Sequence, residues 1–220
     1  MSGSIKPRAR PAPWARPAPT RPVEIRSGGQ TGVDRAALDF ALDRGLPHGG
    51  WCPRGRRAED GVIPARYRLR ETASAAYEER TRRNVRDSDA TVIFSPGRAL
   101  AGGTRLTREI ARALGRPLLH LTAAGDAARA AGRLRAFVRR HRVRRLNVAG
   151  PRASEAPGLE IFVRTVLERA FPSDPPGVRR PGAGGGKGRR RPGTRRARFS
   201  VDRVWAAGRE AGRVRRARRW

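Results

Sequence analysis

Short strand patterns alternate with amphipathic helix patterns along residues 23–171 of the sequence. The continuous apolar run at 90–95, ATVIFS, is typical of a strand buried in a parallel sheet, and residues 157–171 carry apolar side chains at helical spacing. The same reasoning predicts further strands at 23–25, 117–121 and 144–149, and further helices at 33–45, 74–86, after residue 104 and at 126–140. This alternation predicts an α/β fold of three layers, in which helices cover both faces of a mostly parallel sheet.

The turn between the first strand and the first helix, SGGQTGVD at 27–34, is rich in glycine. Glycine allows positive φ and lets a ligand approach the backbone closely, and the start of the following helix favours an anion. The spacing matches neither the dinucleotide pattern GxGxxG nor the phosphate-binding pattern GxxxxGK(S/T). We therefore predict a site for a phosphate-bearing ligand, with a simple tight connection as the alternative. Its predicted residues are Gly28, Gly29, Gln30, Thr31, Gly32 and Asp34.

Two further turns, at 101–104 and 147–152, also follow predicted strands. Ligands of parallel sheets bind beyond the carboxyl ends of the strands, so all three turns are expected at one edge. Asp34 is expected either to stabilise its helix dipole or to accept a hydrogen bond from a ribose hydroxyl. Arg152 is expected to donate bidentate hydrogen bonds to a phosphate, and Asn147 is expected to contact a base edge. The predicted ligand-binding residues of these two turns are Gly102, Gly103, Thr104, Asn147, Gly150, Arg152 and Glu155.

Residues 46–65 contain many Gly and Pro residues, and their apolar residues follow no sustained period, which predicts a long loop. A loop of that length inside a compact domain is usually functional or disordered, and we expect it to contribute to function. Cys52 is expected to be structural unless neighbouring arginines stabilise its thiolate. Further possible ligand contacts are Cys52, Arg54 and Asn84.

The chain is strongly basic, with a formal net charge of +31 over 220 residues. Residues 1–22, rich in Pro and Arg, carry five basic and no acidic groups, and residues 172–220, rich in Gly and Arg, carry 16 basic and three acidic groups. These compositions predict a disordered arm and a disordered basic tail around a single domain at 23–171. Counterion release would let such tails bind nucleic acid weakly and without sequence preference.

Several classes of protein are not expected from this sequence. Cys52 is the single cysteine, so no internal disulfide can form, which fits a reducing cytoplasm. No apolar run approaches the roughly 18–20 residues of a membrane span, and the N-terminus lacks the apolar core of a secretory signal. The three histidines are scattered, and we predict no metal site.

Five blocks of sequence together resemble one known family. They are GGQTGVDRAALDFA at 28–41, GGWCPRGRRAEDGVIPARYRLRET at 49–72, NVRDSDATVIF at 84–94, GGTRLT at 102–107 and LNVAGPRASEAPG at 146–158. In this order they resemble the molybdenum carrier family, also described as the circularly permuted YpsA group of the SLOG superfamily. The resemblance implies a Rossmann-like fold, a nucleotide-derived ligand, a molybdenum cofactor as a possible cargo, and a homo-oligomer.

The wider superfamily includes phosphoribohydrolases, which release a base from a nucleoside monophosphate and carry the pattern PGGxGTxxE. The corresponding stretch here is AGGTRLTRE, in which Glu109 follows Thr104 by five residues instead of three. On a helix this difference rotates the carboxylate by roughly 200°. A non-catalytic carrier or sensor is therefore the first hypothesis, a hydrolase the second and a nucleic-acid-associated protein the third. The candidate acids or bases of a hydrolase are Glu59, Asp60, Glu109 and Glu155.

Overall fold

The computed structural model describes residues 23–172, which form a five-stranded parallel sheet between two layers of helices. The sheet strands are β1 (Glu24–Arg26), β2 (His48–Gly49), β7 (Ala90–Ser95), β8 (Leu118–Thr122) and β9 (Arg145–Ala149). Four shorter strands, β3 (Trp51–Cys52), β4 (Arg57–Ala58), β5 (Gly61–Val62) and β6 (Arg70–Glu71), lie between β2 and the second helix. The helices are α1 (Val33–Asp43), α2 (Tyr77–Arg86), α3 (Gly102–Ala113), α4 (Ala127–Arg140) and α5 (Leu159–Ala170).

The order of the strands in the sheet is β2-β1-β9-β7-β8, and every neighbouring pair is parallel. The last strand in the chain, β9, therefore lies between β1 and β7. All six residues of β7 are buried, as the apolar run predicts. Because β1, β9 and β7 are adjacent and parallel, the segments that follow them begin side by side at one edge of the sheet.

The main core lies between the sheet and the layer formed by α1, α4 and α5. Ile25, Val92 and Phe94 point from the strands into this core, where α5 contributes Val163 and Val166. On the opposite face α2 and α3 pack on the sheet through a smaller cluster of Val85, Ile110 and Ala111, with Leu118 beside it. This arrangement confirms the predicted three-layer α/β fold with a parallel sheet.

The segment 46–65, predicted to be a loop without regular structure, contains short strands. Strand β2 extends the main sheet, β3 pairs with β6, and β4 and β5 form an antiparallel hairpin. Two-residue strands are too short to produce a periodic pattern, which is why the sequence did not reveal them. Cys52 and Ile63 of this segment pack with Leu38 of α1 and with Tyr67 and Leu69 in a separate small core.

The starts of two helices differ most from the prediction. Helix α2 begins at Tyr77 instead of residue 74. Gly102, Gly103 and Thr104, predicted as a turn, form the first turn of α3. The predicted arm at 1–22 and nearly all of the predicted tail at 172–220 lie outside the described residues. Within the described part, no helix has the length and apolarity needed to cross a bilayer.

Candidate functional site

A cavity of about 280 Å³ opens at the edge of the sheet where β1, β7 and β9 end. Residues from all three predicted turns line it, and α2 closes one side. The lining residues are Gln30, Asp34, Tyr77, Arg80, Thr81, Gly103, Thr104, Leu106, Thr107, Ala149, Gly150, Arg152 and Glu155. The three turns therefore meet in one site, which follows from the adjacency of the strands that precede them.

A buried ion pair between Asp34 and Arg80 forms one wall of the cavity. An Arg80 guanidinium nitrogen lies 3.1 Å from Asp34 Oδ2, and the two side chains are 17% and 3% exposed. The backbone N–H of Gln30 also donates to this carboxylate, at 3.3 Å. Burial raises the pKa of Asp34, and the charge of Arg80 opposes that rise.

Arg80 is not fully satisfied by this pair. Its Nε is buried and has no hydrogen-bond partner among the described residues. Buried arginine donors normally have an acceptor, and this unpartnered donor belongs to a residue that lines the cavity.

Gly28 makes room for the Arg80 guanidinium. A methyl group added at Gly28 would lie 1.7 Å from a guanidinium nitrogen of Arg80 and 2.8 Å from Asp34 Oδ2. Gly29 packs against Ile63 and Leu69 in a similar way. The glycines of the first turn thus accommodate side chains of the protein, whereas the sequence suggested close approach by a ligand.

The start of α1, predicted to hold a phosphate, has two of its N–H donors occupied. The N–H of Val33 donates to Pro151 O at 3.4 Å, and the N–H of Arg35 donates to Gln30 O at 3.2 Å. Asp34 adds a negative charge in the first turn. An additional anion at this helix start would meet a carboxylate, so the start of α1 does not favour an anion in the cavity.

The start of α3 is the second helix N-terminus at the cavity. The N–H groups of Thr104 and Arg105 both donate to Ala101 O, whereas the amides of Gly102 and Gly103 precede these first bonds of the helix. The first turn of α3 carries no acidic residue. Its dipole therefore favours negative charge in the cavity.

Arg152 carries the second guanidinium of the site. Its Nε lies 2.9 Å from Glu155 Oε1 and 3.8 Å from Glu59 Oε2, and its side chain is 45% exposed. A half-exposed arginine in solvent-screened pairs can exchange a carboxylate for a phosphate at little cost. The predicted role of Arg152 is therefore compatible with its position.

Glu59 connects the first and third turns instead of facing the cavity. Its carboxylate accepts hydrogen bonds from the hydroxyls of Thr31 and Ser154. Thr31 Oγ1 in turn accepts from the N–H of Ala153 at 3.1 Å, and Gln30 Oε1 accepts from the N–H of Glu59 at 2.9 Å. The hydrogen bonds from Ser154 and Thr31 lower the pKa of Glu59. A general acid or base needs a carboxyl with a raised pKa, so Glu59 is a connecting residue, and the Thr31 hydroxyl is already used.

This connection predicts a pH dependence of stability. Because the folded-state pKa of Glu59 is lowered, its stabilisation is present above its unfolded pKa, near 4.5, and is lost as the pH falls through the folded value. We expect Glu59→Gln to lower the free energy of unfolding near neutral pH and to differ less from the wild type as the medium becomes acidic. Urea unfolding of both proteins across that range measures this difference. A difference that grows on acidification would contradict the assigned role.

The other candidate acids and bases are engaged in ion pairs. Asp60 forms a bidentate ion pair with Arg35, in which a guanidinium nitrogen of Arg35 lies 2.7 Å from Asp60 Oδ1. The hydrogen bonds from Arg35 lower the pKa of Asp60. Glu109 is exposed on α3, 3.5 Å from Arg105, and does not line the cavity. Glu155 lines the cavity and pairs with Arg152.

Of the predicted ligand contacts in the three turns, Gly28, Gly29, Thr31, Gly32 and Gly102 do not line the cavity, and four more predicted contacts lie elsewhere. Asn147 is buried within the sheet and donates to Thr91 Oγ1 at 3.2 Å. Asn84 forms two hydrogen bonds with the backbone of Trp51. Arg54 is exposed on a short 3₁₀ turn. Cys52 is fully buried, and burial raises its pKa despite the nearby Arg56, so its thiolate is not stabilised.

Sequence reasoning missed the side of the cavity contributed by α2, which includes Tyr77, Arg80 and Thr81. Arg80 is inconspicuous in a chain with 50 lysines and arginines. The sequence signal that could have revealed this side is the pattern of polar residues on α2, because Thr81 and Asn84 share the buried face of the helix with Val85. Polar side chains on the buried face of an amphipathic helix indicate a polar interface beneath it.

The five parallel strands, covered by helices on both faces, define a Rossmann-like α/β protein with a cavity at the carboxyl edge of its sheet. Residues 25–171 match the Circularly permutated YpsA SLOG family. The chain belongs to this family.

A crystal structure of a "putative molybdenum carrier protein" from Syntrophus aciditrophicus SB is similar to this chain, with 41% sequence identity and a TM-score of 0.67. The match covers 69% of this chain and 96% of that one. A structure of (E)-4-hydroxy-3-methyl-but-2-enyl diphosphate reductase is 13% identical, covering 67% of this chain and 58% of that one; its TM-score of 0.31 supports no argument. A comparison with curated protein sequences found no match.

Proposed function

We propose that this protein binds a small nucleotide-derived ligand through its phosphate, in the cavity at the carboxyl edge of the sheet, as a carrier or sensor without catalysis. The observation that carries the proposal is the buried Arg80 Nε, a donor without a partner at the wall of that cavity. A phosphate oxygen is the acceptor that an arginine donor binds best. Arg152 and the start of α3 add positive potential on the other sides.

The remaining lining residues suit the rest of a nucleotide. Tyr77 lines the cavity and is 41% exposed, so its ring is available to stack on a base. Thr104, at the start of α3, places a hydroxyl side chain in the lining, where a sugar or phosphate would lie. A volume of about 280 Å³ lies at the lower end of small-molecule sites. These dimensions favour a nucleoside monophosphate over a dinucleotide.

Molybdenum is the cargo suggested by the name of the solved relative. Within residues 23–172, no group of three or more His, Cys, Asp or Glu side chains is placed to hold a metal ion. Cys52 does not fit such a role, because it is buried in an apolar cluster. A directly coordinated molybdenum ion therefore does not fit the described residues, whereas the organic phosphate of a molybdenum cofactor is bound by the same chemistry as a nucleotide.

A hydrolase acting on nucleoside monophosphates is the alternative function, and one observation favours it. Asp34 is the cavity carboxyl whose pKa is raised, and a raised pKa marks candidate acids and bases. The pairing of Asp34 with Arg80 and Gln30 opposes this role, since it holds the carboxylate in a fixed, occupied position.

Isothermal titration with nucleoside monophosphates tests the binding proposal. We expect Arg152→Ala to weaken binding by about tenfold or more, because a charge-assisted hydrogen bond to phosphate is lost. The matched control is Arg105→Ala, which removes another exposed arginine paired with a glutamate, but outside the cavity. Equal affinity for nucleosides that lack the phosphate would contradict the proposal, as would the failure of every monophosphate to bind.

Chromatography of the same mixtures after incubation distinguishes a carrier function from a hydrolase function. A carrier returns the nucleotide intact. Release of free base at a catalytic rate, abolished in Asp34→Asn, would establish the hydrolase instead.

A further inference from the structure

A second and larger cavity, the arginine groove, lies on the sheet face opposite the main core. It encloses about 580 Å³, and its lining is almost entirely polar or charged. The lining residues are Glu24, Arg26, His48, Gly49, Gly50, Arg68, Arg70, Arg86, Asp87 and Arg145. With five arginines against two acids, the groove is strongly positive, and none of its lining residues lines the cavity proposed to bind the nucleotide.

The alternation of side chains along β1 creates the floor of the groove. Ile25 points into the main core, so its neighbours Glu24 and Arg26 point to the opposite face. There the helical layer packs through Val85 and Leu118, near the far edge of the sheet. Charged side chains of β1 therefore meet the C-terminal end of α2 in a polar depression.

Arg26 is held in the groove with a donor unused. One of its guanidinium nitrogens donates to Asp87 O at 3.3 Å, and its Nε is 3.9 Å from Glu24, too far for a hydrogen bond. That Nε is buried and has no hydrogen-bond partner in the described part of the chain. The side chain is 12% exposed, so solvent compensates this donor poorly. Arg26 therefore brings an incompletely satisfied positive charge to the lining of the groove.

The rim of the groove carries arginines that the protein does not neutralise. Arg86 and Arg145 pair with Asp87 and Asp89. By contrast, Arg68 and Arg70 are exposed and form no ion pair with any residue in the range 23–172. Unpaired arginines on one side of a depression are suited to phosphate binding.

An aromatic side chain lies beside this rim. The half-buried Trp51 ring has the Arg83 guanidinium 4.6 Å and the Arg70 guanidinium 5.9 Å from its centroid. Its Nε1 donates to Asp87 at 2.8 Å, which fixes the ring next to the groove. A basic groove flanked by an aromatic ring is the usual arrangement in proteins that bind single-stranded nucleic acid, where the groove follows the backbone and bases stack nearby.

We propose that the arginine groove binds the phosphate backbone of a single-stranded nucleic acid. Arg68 and Arg70 contact phosphates at the rim, the charge of Arg26 attracts the backbone from inside, and the overall charge of +31 attracts the polyanion. This site belongs to the folded domain and is separate from any contribution of the basic ends of the chain.

The test compares two double variants of the full chain that remove the same charge. Arg68→Ala/Arg70→Ala removes the two rim arginines, and Arg139→Ala/Arg140→Ala removes two from the end of α4, in the opposite helical layer. Binding of oligodeoxythymidine about 20 nucleotides long is measured by fluorescence anisotropy over a range of salt concentrations. We expect the rim variant to bind about tenfold or more weakly and its salt slope to fall by about 1.4, since each phosphate contact contributes about 0.7.

The same measurements can overturn the proposal. Equal losses in the two double variants would mean that only total charge matters, and no loss in the rim variant would exclude the groove. Tripolyphosphate is the second probe: if it binds the groove and oligodeoxythymidine does not, the ligand is a small polyphosphate and the proposal fails. Thermal unfolding and nucleotide titration of the rim variant should match the wild type, because Arg68 and Arg70 lie outside the nucleotide cavity.

Discussion

Replacing Arg80 with glutamine is expected to lower the free energy of unfolding by about 3 kcal/mol or more, because removing one partner of a buried ion pair leaves the other charge uncompensated. Asp34 is 3% exposed and has Arg80 as its positively charged partner at 3.1 Å. Urea unfolding of the wild type and Arg80→Gln measures the change. The double variant Arg80→Gln/Asp34→Asn should recover most of the loss, since it leaves no buried charge behind.

The effect of Arg80→Gln should depend on pH in a defined direction. Burial already raises the pKa of Asp34 above 3.8, and Arg80 opposes the rise, so removing Arg80 raises the pKa further. A carboxyl with a raised folded-state pKa destabilises the protein above that pKa, and the penalty disappears as the pH falls towards the unfolded value. Arg80→Gln is therefore expected to approach the wild type as the medium is acidified.

Arg82 provides the matched control for Arg80. It lies on the same helix and pairs with Glu78 at 3.9 Å, but the side chains of the pair are 58% and 63% exposed. Exposed pairs of this kind contribute about 0.3–0.5 kcal/mol, so Arg82→Ala should change stability little. If the two single variants unfold at the same urea concentration, the buried pair does not stabilise the protein.

The alternation of strands and helices was sufficient to predict the layers of this fold. Strand β7 has a continuous apolar run and helix α5 an apolar stripe at helical spacing, and both form close to their predicted bounds. The order of the strands was not predictable in the same way. Parallel pairing is set by contacts far apart in sequence, and no local pattern indicates that β9 inserts between β1 and β7.

The candidate site was predictable to the extent that strand ends carry polar turns. Gln30, Thr104 and Arg152 come from three separate turns and line one cavity, because their strands are neighbours. What the sequence did not reveal was which groups are already satisfied. At the start of α1 the N–H groups of Val33 and Arg35 already donate to the Pro151 and Gln30 carbonyls. The charged wall of the cavity comes from Arg80 on α2.

The occupied N–H groups of α1 and the position of Arg80 on α2 together give the glycine-rich turn a role other than the predicted one. Its glycines allow close packing: Gly28 leaves space for Arg80, and Gly32 leaves space for the third turn. The turn therefore shapes the cavity by holding other segments near it. In the proposed function the phosphate is bound by side chains of those segments, principally Arg80 and Arg152.

Replacing Gly32 with alanine is the second large effect that we expect. Gly32 has φ 69° and ψ −125°, a backbone conformation that an L-residue adopts only with strain. A methyl group there would lie 2.8 Å from the backbone N of Ala153 and 2.9 Å from both Arg152 C and Pro151 O. These are backbone atoms of a packed turn, which cannot move as freely as the end of a side chain. Strain and overpacking each contribute about 1–3 kcal/mol, so a loss of about 3 kcal/mol or more is expected.

Gly45→Ala is the matched control, because it separates backbone strain from packing. Gly45 has φ 59°, and nothing lies within 4 Å of an added methyl group. Its substitution should cost about 1–2 kcal/mol from conformation alone. Urea unfolding measures the loss of stability in both variants. Nucleotide titration of Gly32→Ala measures the effect on the cavity, because the methyl group displaces the turn that carries Arg152. Equal losses of stability in the two variants, with unchanged nucleotide affinity, would mean that the contact between the first and third turns does not hold the cavity together.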